Sequence, residues 1–320
     1  MNEVTKTHPM ESIWTEAYRP ITIDACVLPK NIKDIFKGYV ERKDTPHLLL
    51  SGGAGQGKTT IAKALCNELG FDFILLNLSN DRGIDVLRTT MTQYASSVSL
   101  SGNTKVIICD EFDSSTPILQ SAFRAFMEEY SQHVRFFLTC NFPNRIIQPI
   151  HSRCSVIDFH INNEDKPALA KQMFDRAGAI LTNEGIGFDK RALVEVITKH
   201  FPDYRRTLNE LQRYASATGK IDGDVVKYGS NNSIDAFTAA LKAKSFKDAR
   251  KWIAENIGTM STDAVFRAMY DSMYDLVEPQ SIPQIVLIIA EYQYKSVTCP
   301  DQELNMAAFS IEVMSGVEFK

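Results

Sequence analysis

Between residues 46 and 159 the apolar positions gather into five short runs: His47–Ser51, Phe73–Asn77, Val106–Cys109, Phe136–Cys140 and Val156–Phe159. Each is almost wholly apolar rather than alternating, the pattern of strands covered on both faces. The longer stretches between them are suited to helices, which supply the right-handed crossovers that parallel strands require. This pattern predicts a doubly wound α/β fold with a parallel sheet and a ligand crevice at the strand carboxyl ends.

After Ile161 the strand signals stop. Asn163-Glu164-Asp165-Lys166-Pro167 opens a helix with acidic residues suited to its N-terminus, and further helices fit Asp189–His200 and Asp203–Ala217. Gly229-Ser230-Asn231-Asn232 reads as a linker. Beyond it the chain is helical in pattern, with Ser233, Ser245, Ser261, Ser281 and Asp301 as expected N-caps. Ile285–Ala290 is apolar nearly all round, so its helix is expected to be buried, inside its own domain rather than between subunits. The expected domains are 1–161, 162–229 and 230–320.

The chain has 320 residues, 44% of them hydrophobic, ample for two or three cores. No apolar run approaches a membrane span. The polar start, Met1 to Glu11, lacks a signal-peptide stretch, so a cytoplasmic location and no membrane partner are expected. The six cysteines are scattered without a Cys-x-x-Cys pair, which points to reduced core thiols rather than zinc or disulfides. A net charge of −4 argues against indiscriminate coating of nucleic acid, but leaves room for a local basic stripe.

The chemistry begins at Gly52-Gly53-Ala54-Gly55-Gln56-Gly57-Lys58-Thr59, which satisfies G-x-x-x-x-G-K-[ST] between a predicted strand and a predicted helix. Its glycines let backbone amides turn toward phosphates at a helix N-terminus, Lys58 reaches the outer phosphates, and the Thr59 hydroxyl ligates Mg²⁺. Asp110 and Glu111 close the Val106–Cys109 run, positions suited to holding Mg²⁺ and to polarising an attacking water. Asn141 ends the next run, either as a γ-phosphate contact or as an ordinary turn residue. Arg153, in Ser152-Arg153-Cys154, is either a solvated charge or a group offered to a neighbouring subunit's γ-phosphate.

In order, these motifs resemble those of the AAA+ sliding-clamp loader ATPases. Ala17-Tyr18-Arg19-Pro20 is similar to that family's Lys-Tyr-Arg-Pro adenine box, with alanine in place of the lysine. Asn80–Arg88 resembles its Arg-Gly-Ile-Asp segment, and Gln120–Glu128 its Gln-x-Ala-Leu-Arg-Arg-x-Met-Glu helix, with Ala125 replacing the second arginine. Phe201-Pro202-Asp203-Tyr204-Arg205 is similar to the lid motif. This motif and Asp110-Glu111-Phe112-Asp113 resemble the large-subunit branch of T-even-type bacteriophage.

The resemblance implies a P-loop ATPase domain, a helical lid and a helical oligomerising collar. It implies ATP and Mg²⁺ as cofactors, with Thr15, Glu16, Ala17, Tyr18, Arg19 and Val27 around the nucleoside and Gly55 to Thr60 around the phosphates. Arg205 would reach the γ-phosphate from the lid, Arg153 would enter the adjacent site, and Gln120 and Arg124 would couple neighbouring sites. Arg82 and Arg88 would face primer–template DNA, although from charge alone they read equally as solvated helix positions. The implied assembly is a heteropentamer, four copies with one differing subunit, acting on a sliding clamp in an infected bacterial host. Two other readings stand beside it: another AAA+ DNA motor of the branch-migration helicase type, and a non-hydrolysing structural subunit.

Overall fold

A computed structural model describes residues 6–7, 11–79, 85, 87–97, 104–225, 234–258 and 260–320. The chain forms two compact units, residues 1–226 and 227–320.

In the first unit, five strands, β1 (Leu48–Ser51), β2 (Asp72–Asn77), β3 (Lys105–Asp110), β4 (Val134–Cys140) and β5 (Ser155–Asp158), form a parallel sheet in the order β2-β3-β4-β1-β5. The expected strands are all present, with ends shifted by one or two residues. Successive side chains point to opposite faces, and because both faces are covered the run is apolar throughout. Leu48, Leu50, Val106, Ile108 and Phe137 pack with the Lys30–Arg42 and Lys58–Leu69 helices. Leu49, Ile107, Cys109, Phe136 and Leu138 pack on the other side with the Pro117–Tyr130 helix.

Lys105 heads β3, a charged residue at the start of an otherwise apolar strand. It is nonetheless buried, its ammonium donating to the carbonyls of Tyr94 (2.8 Å) and Ser97 and to the Ser97 hydroxyl (2.7 Å). A cation at a helix C-terminus satisfies carbonyls the helix leaves open.

Helices Lys166–Asn183, Lys190–His200 and Tyr204–Thr218 follow, the last two N-capped by the side chains of Asp189 and Asp203. Strands do not stop after Ile161 as the pattern suggested. Gly187–Phe188 and Lys220–Ile221 form a two-residue parallel pair, too short to leave a periodic signal. The Trp14–Ala17 helix belongs to this helical core rather than to the sheet, packing with Met173, Leu193 and Leu211. Gln212 fixes the start of this helix, accepting from the Trp14 amide at 2.9 Å and donating to the Ser12 carbonyl at 2.6 Å.

The second unit holds helices Ile234–Lys242, Phe246–Asn256, Thr262–Leu276, Ile282–Thr298 and Gln302–Gly316 around one apolar core. Ser261 and Asp301 cap as expected, accepting from the amides of Ala264 and Leu304. Ser245 and Ser281 stand at N-cap positions without that bond. Ser245 donates to Asp248, and Ser281 accepts from the Glu318 amide. Ser233 and the 229–232 segment lie outside the described residues. The Ile285–Ala290 expectation is corrected. Ile285, Ile288, Ile289 and Tyr292 form a buried stripe at 3.6-residue spacing, while Leu287 is 66% exposed.

Ile288→Ala should therefore cost about 2–5 kcal/mol and Leu287→Ala less than about 0.5 kcal/mol, as measured by urea unfolding of the full chain. A second outcome concerns His47, whose Nδ1 accepts from the Phe136 amide at 3.2 Å. Burial, and then nearby Arg135, pull this imidazole down to about 4. The unfolded chain then binds the extra proton first, so this contribution is complete above about pH 6.5 and is lost as pH falls toward 4. His47→Asn should flatten that part of the urea-midpoint profile.

Candidate nucleotide-binding site

At the carboxyl ends of β1, β3 and β4 lies a cleft of about 500 Å³, closed on its other side by the Tyr204–Thr218 helix and by residues 15–28. Because the strands are parallel and β4 lies between β1 and β3, three separate motifs emerge at one edge. The loop after β1 turns through Gly55 (φ +70°) and Gly57 (φ +91°), conformations that side chains resist. Lys58 then opens its helix, largely buried, with its ammonium on the carbonyls of Gly52 (2.8 Å) and Gly53 (2.7 Å) and on Asn141 Oδ1 (2.9 Å). Burial holds this ammonium below its ordinary pKa.

Asp110 Oδ1 accepts from the hydroxyls of Thr59 (2.7 Å) and Thr139. Two hard oxygens this close fit a shared Mg²⁺, whose remaining ligands would be phosphate and water. Glu111 follows in the left-handed region (φ +55°), and its amide donates to Thr139 Oγ1 at 3.2 Å. Such a conformation at a non-glycine residue is costly and recurs where a side chain must be aimed.

Thr15, Glu16, Tyr18, Arg19 and Val27 line the far end of the cleft, and Ala54 and Gln56 line the loop end. Arg19 donates to Thr60 Oγ1 (2.9 Å) and pairs with Glu16. Ala17 is corrected as a lining residue. It is fully buried in the helical core, and its carbonyl is taken by Thr7. Arg205 stands exposed at the rim. The amide of its neighbour Tyr204 donates to the Gly55 carbonyl at 3.2 Å, so lid and loop touch directly.

Two functional candidates escaped the sequence reading. Arg176, on the Lys166–Asn183 helix, donates to the carbonyls of Ala25 (3.0 Å) and Tyr18 and so braces the far wall. Nothing local marks it, since its partners lie about 150 residues away. Asp113, whose Oδ2 accepts from the amides of Asn141 (3.2 Å) and Phe142 (3.0 Å), was visible only as the last letter of a motif.

Arg153 lies at the other end of the sheet, two residues before β5 begins, and β5 starts level with Leu48. The length of β1, ~13 Å, separates that end from the glycine loop. Its guanidinium pairs with Glu128 and donates to the Pro149 carbonyl at 2.8 Å, holding the Glu128 carboxyl below its ordinary pKa.

Gln120, expected to couple neighbouring sites, is 2% exposed and its side chain is engaged inside its own chain. It donates to the carbonyls of Arg145 (3.1 Å) and Ser115 (3.4 Å) and accepts from the Ile147 amide (2.9 Å). Arg124, one turn later, is exposed. Arg88 falls in the π-helical turn Leu87–Met91, and Arg82 lies outside the described residues. No helix among the described residues is long and apolar enough to cross a membrane.

Residues 48–163 match the family of ATPases associated with various cellular activities, and residues 165–227 match the AAA+ ATPase lid domain of sliding-clamp-loader large subunits. The chain is 35% identical over 316 residues to the sliding-clamp-loader large subunit of Enterobacteria phage T4, covering 97% of this chain and 98% of that one. It is 40% identical over 220 residues to the replication factor C small subunit of Archaeoglobus fulgidus, covering 67% of each. A Thermotoga maritima RuvB mutant aligns with TM-score 0.56 over 82% of this chain and 94% of its own, at 14% identity, a likeness of fold alone. With its P-loop cleft and matched lid, the chain belongs to the AAA ATPase family of sliding-clamp-loader large subunits.

Proposed function

We propose that this chain is the ATP-hydrolysing subunit of a sliding-clamp loader, using ATP binding to open a clamp on primer–template DNA and DNA-stimulated hydrolysis to release it. The observation that carries this reading is the convergence of Lys58, Thr59, Asp110, Glu111 and Asn141 at one sheet edge while Arg153 stands at the other.

In this reading Tyr18, Val27 and their neighbours hold the base, and the loop amides from Gly55 to Thr60 hold the phosphates. Lys58 exchanges its carbonyl partners for the outer phosphates, which frees Asn141 to face the γ-phosphate. Thr59 and Asp110 would hold Mg²⁺, which would supply positive charge against the phosphates. Glu111 polarises the attacking water, and Arg205 approaches from the lid. Arg153 is too far from its own cleft and serves a neighbour's, which requires a ring. We take that ring to be four such chains with one differing subunit. Arg82 and Arg88 are assigned to the DNA backbone, a contact that orients the duplex without reading its sequence.

ATP drives the change of shape only to the extent that it binds the closed assembly better than the open one. The Tyr204–Gly55 contact supplies a route, because phosphates entering the loop meet the lid helix at once.

Two outcomes test this. In the reconstituted assembly, Glu111→Gln and Arg153→Ala should each lower DNA-stimulated ATP turnover by about 10³-fold or more. Mixing the two should recover part of it, because a site then forms from one chain's glutamate and another's arginine. Full turnover after Arg153→Ala would refute the shared site. At the lid contact, a Cβ on Gly55 would sit 1.8 Å from Asp203 Oδ1 at a positive φ. Gly55→Ala should cost more than about 1 kcal/mol and reduce the ATP-induced rise in Tm of the full chain.

A further inference from the structure

The backbone ladder between β3 and β4 ends at the pair Cys109–Leu138, and everything chemically interesting lies beyond it. Past that point the two chains are joined by side-chain rungs. The Glu111 amide donates to Thr139 Oγ1, and the amides of Asn141 and Phe142 donate to Asp113 Oδ2. Asp113 is 8% exposed, and its other oxygen, Oδ1, is buried with no hydrogen-bond partner among the described residues. A carboxylate whose job was to cap its own short turn, Phe112–Ser114, would bond to that turn. Both of its bonds instead cross to residues 28 and 29 positions away. A buried oxygen left unsatisfied is costly, so the pairing gains most where the position of Asn141 matters.

We infer that Asp113 is a positioning residue: it fixes the backbone of Asn141 so that the Asn141 amide distinguishes a triphosphate from a diphosphate. The inference rests on the ATP-site reading above. The same rung carries displacement the other way. Asp113 is two residues from Glu111, and Asn141 is two from Thr139, so the four form a closed frame. A shift of Asn141 on meeting a γ-phosphate moves the turn that aims Glu111.

The test is the ratio of affinities for fluorescent ADP and a fluorescent non-hydrolysable ATP analogue, measured with Mg²⁺ on the full chain. Asn141→Ala sets the scale. Asp113→Ala should lose about tenfold of the triphosphate preference while keeping ADP affinity within about twofold. Asp113→Asn, which keeps an acceptor but not the charge, should lose about fivefold. The double variant Asp113→Ala/Asn141→Ala should be no worse than Asn141→Ala alone, since one residue acts through the other. A purely structural role would lower Tm and leave the ratio unmoved. Wild-type preference in Asp113→Asn, or summed losses in the double variant, would overturn the inference while leaving the ATP site standing. If Asp113→Ala fails to fold, Asp113→Asn decides alone. Wild-type protein that binds neither nucleotide would instead sink the ATP-site reading, and this inference with it.

Discussion

Asp110 accepts the hydroxyls of Thr59 and Thr139 on one carboxylate oxygen, and that arrangement joins three pieces of chain remote in sequence. Thr59 comes from the helix after β1, Thr139 from the end of β4, and Asp110 itself closes β3. The bonds can form only because the sheet is parallel and β4 lies between β1 and β3. A different order would put the same motifs at distant places on the edge. Glu111, with its left-handed backbone, comes directly after that seat, and Lys58, one residue before Thr59, contacts Asn141, two residues after Thr139.

Much of this was legible in the sequence because its signals are local. A buried strand announces itself as a short apolar run, and a phosphate loop as glycines before a lysine. The glycines at 55 and 57 do adopt the positive φ that such a loop needs. What escaped reading was long-range satisfaction of polar groups. Lys105, Gln120, Asp113 and Arg176 each look like surface residues. Each is held inward by backbone atoms whose proximity only the fold creates. Leu287 misled in the opposite sense, since an apolar run does not say which of its members faces out.

The boundary between sheet and lid is similarly invisible in a linear reading. Trp14 and Tyr18 precede the first strand but pack in the lid core, while Ile23 and Leu28, a few residues on, pack against the sheet. The far wall of the cleft therefore belongs to both. Arg176 and Glu184 reach it from the lid, through the Tyr18 carbonyl and hydroxyl. A displacement of the lid helix therefore reaches the far wall through Tyr18, without passing through Arg205.

The brevity of β1 has a mechanical consequence. Four residues of rigid, fully hydrogen-bonded strand separate the phosphate loop from the end at which Arg153 sits. Such a strut cannot stretch and hardly bends, so the phosphate loop and the Arg153 end of the sheet are held at a fixed distance within the chain.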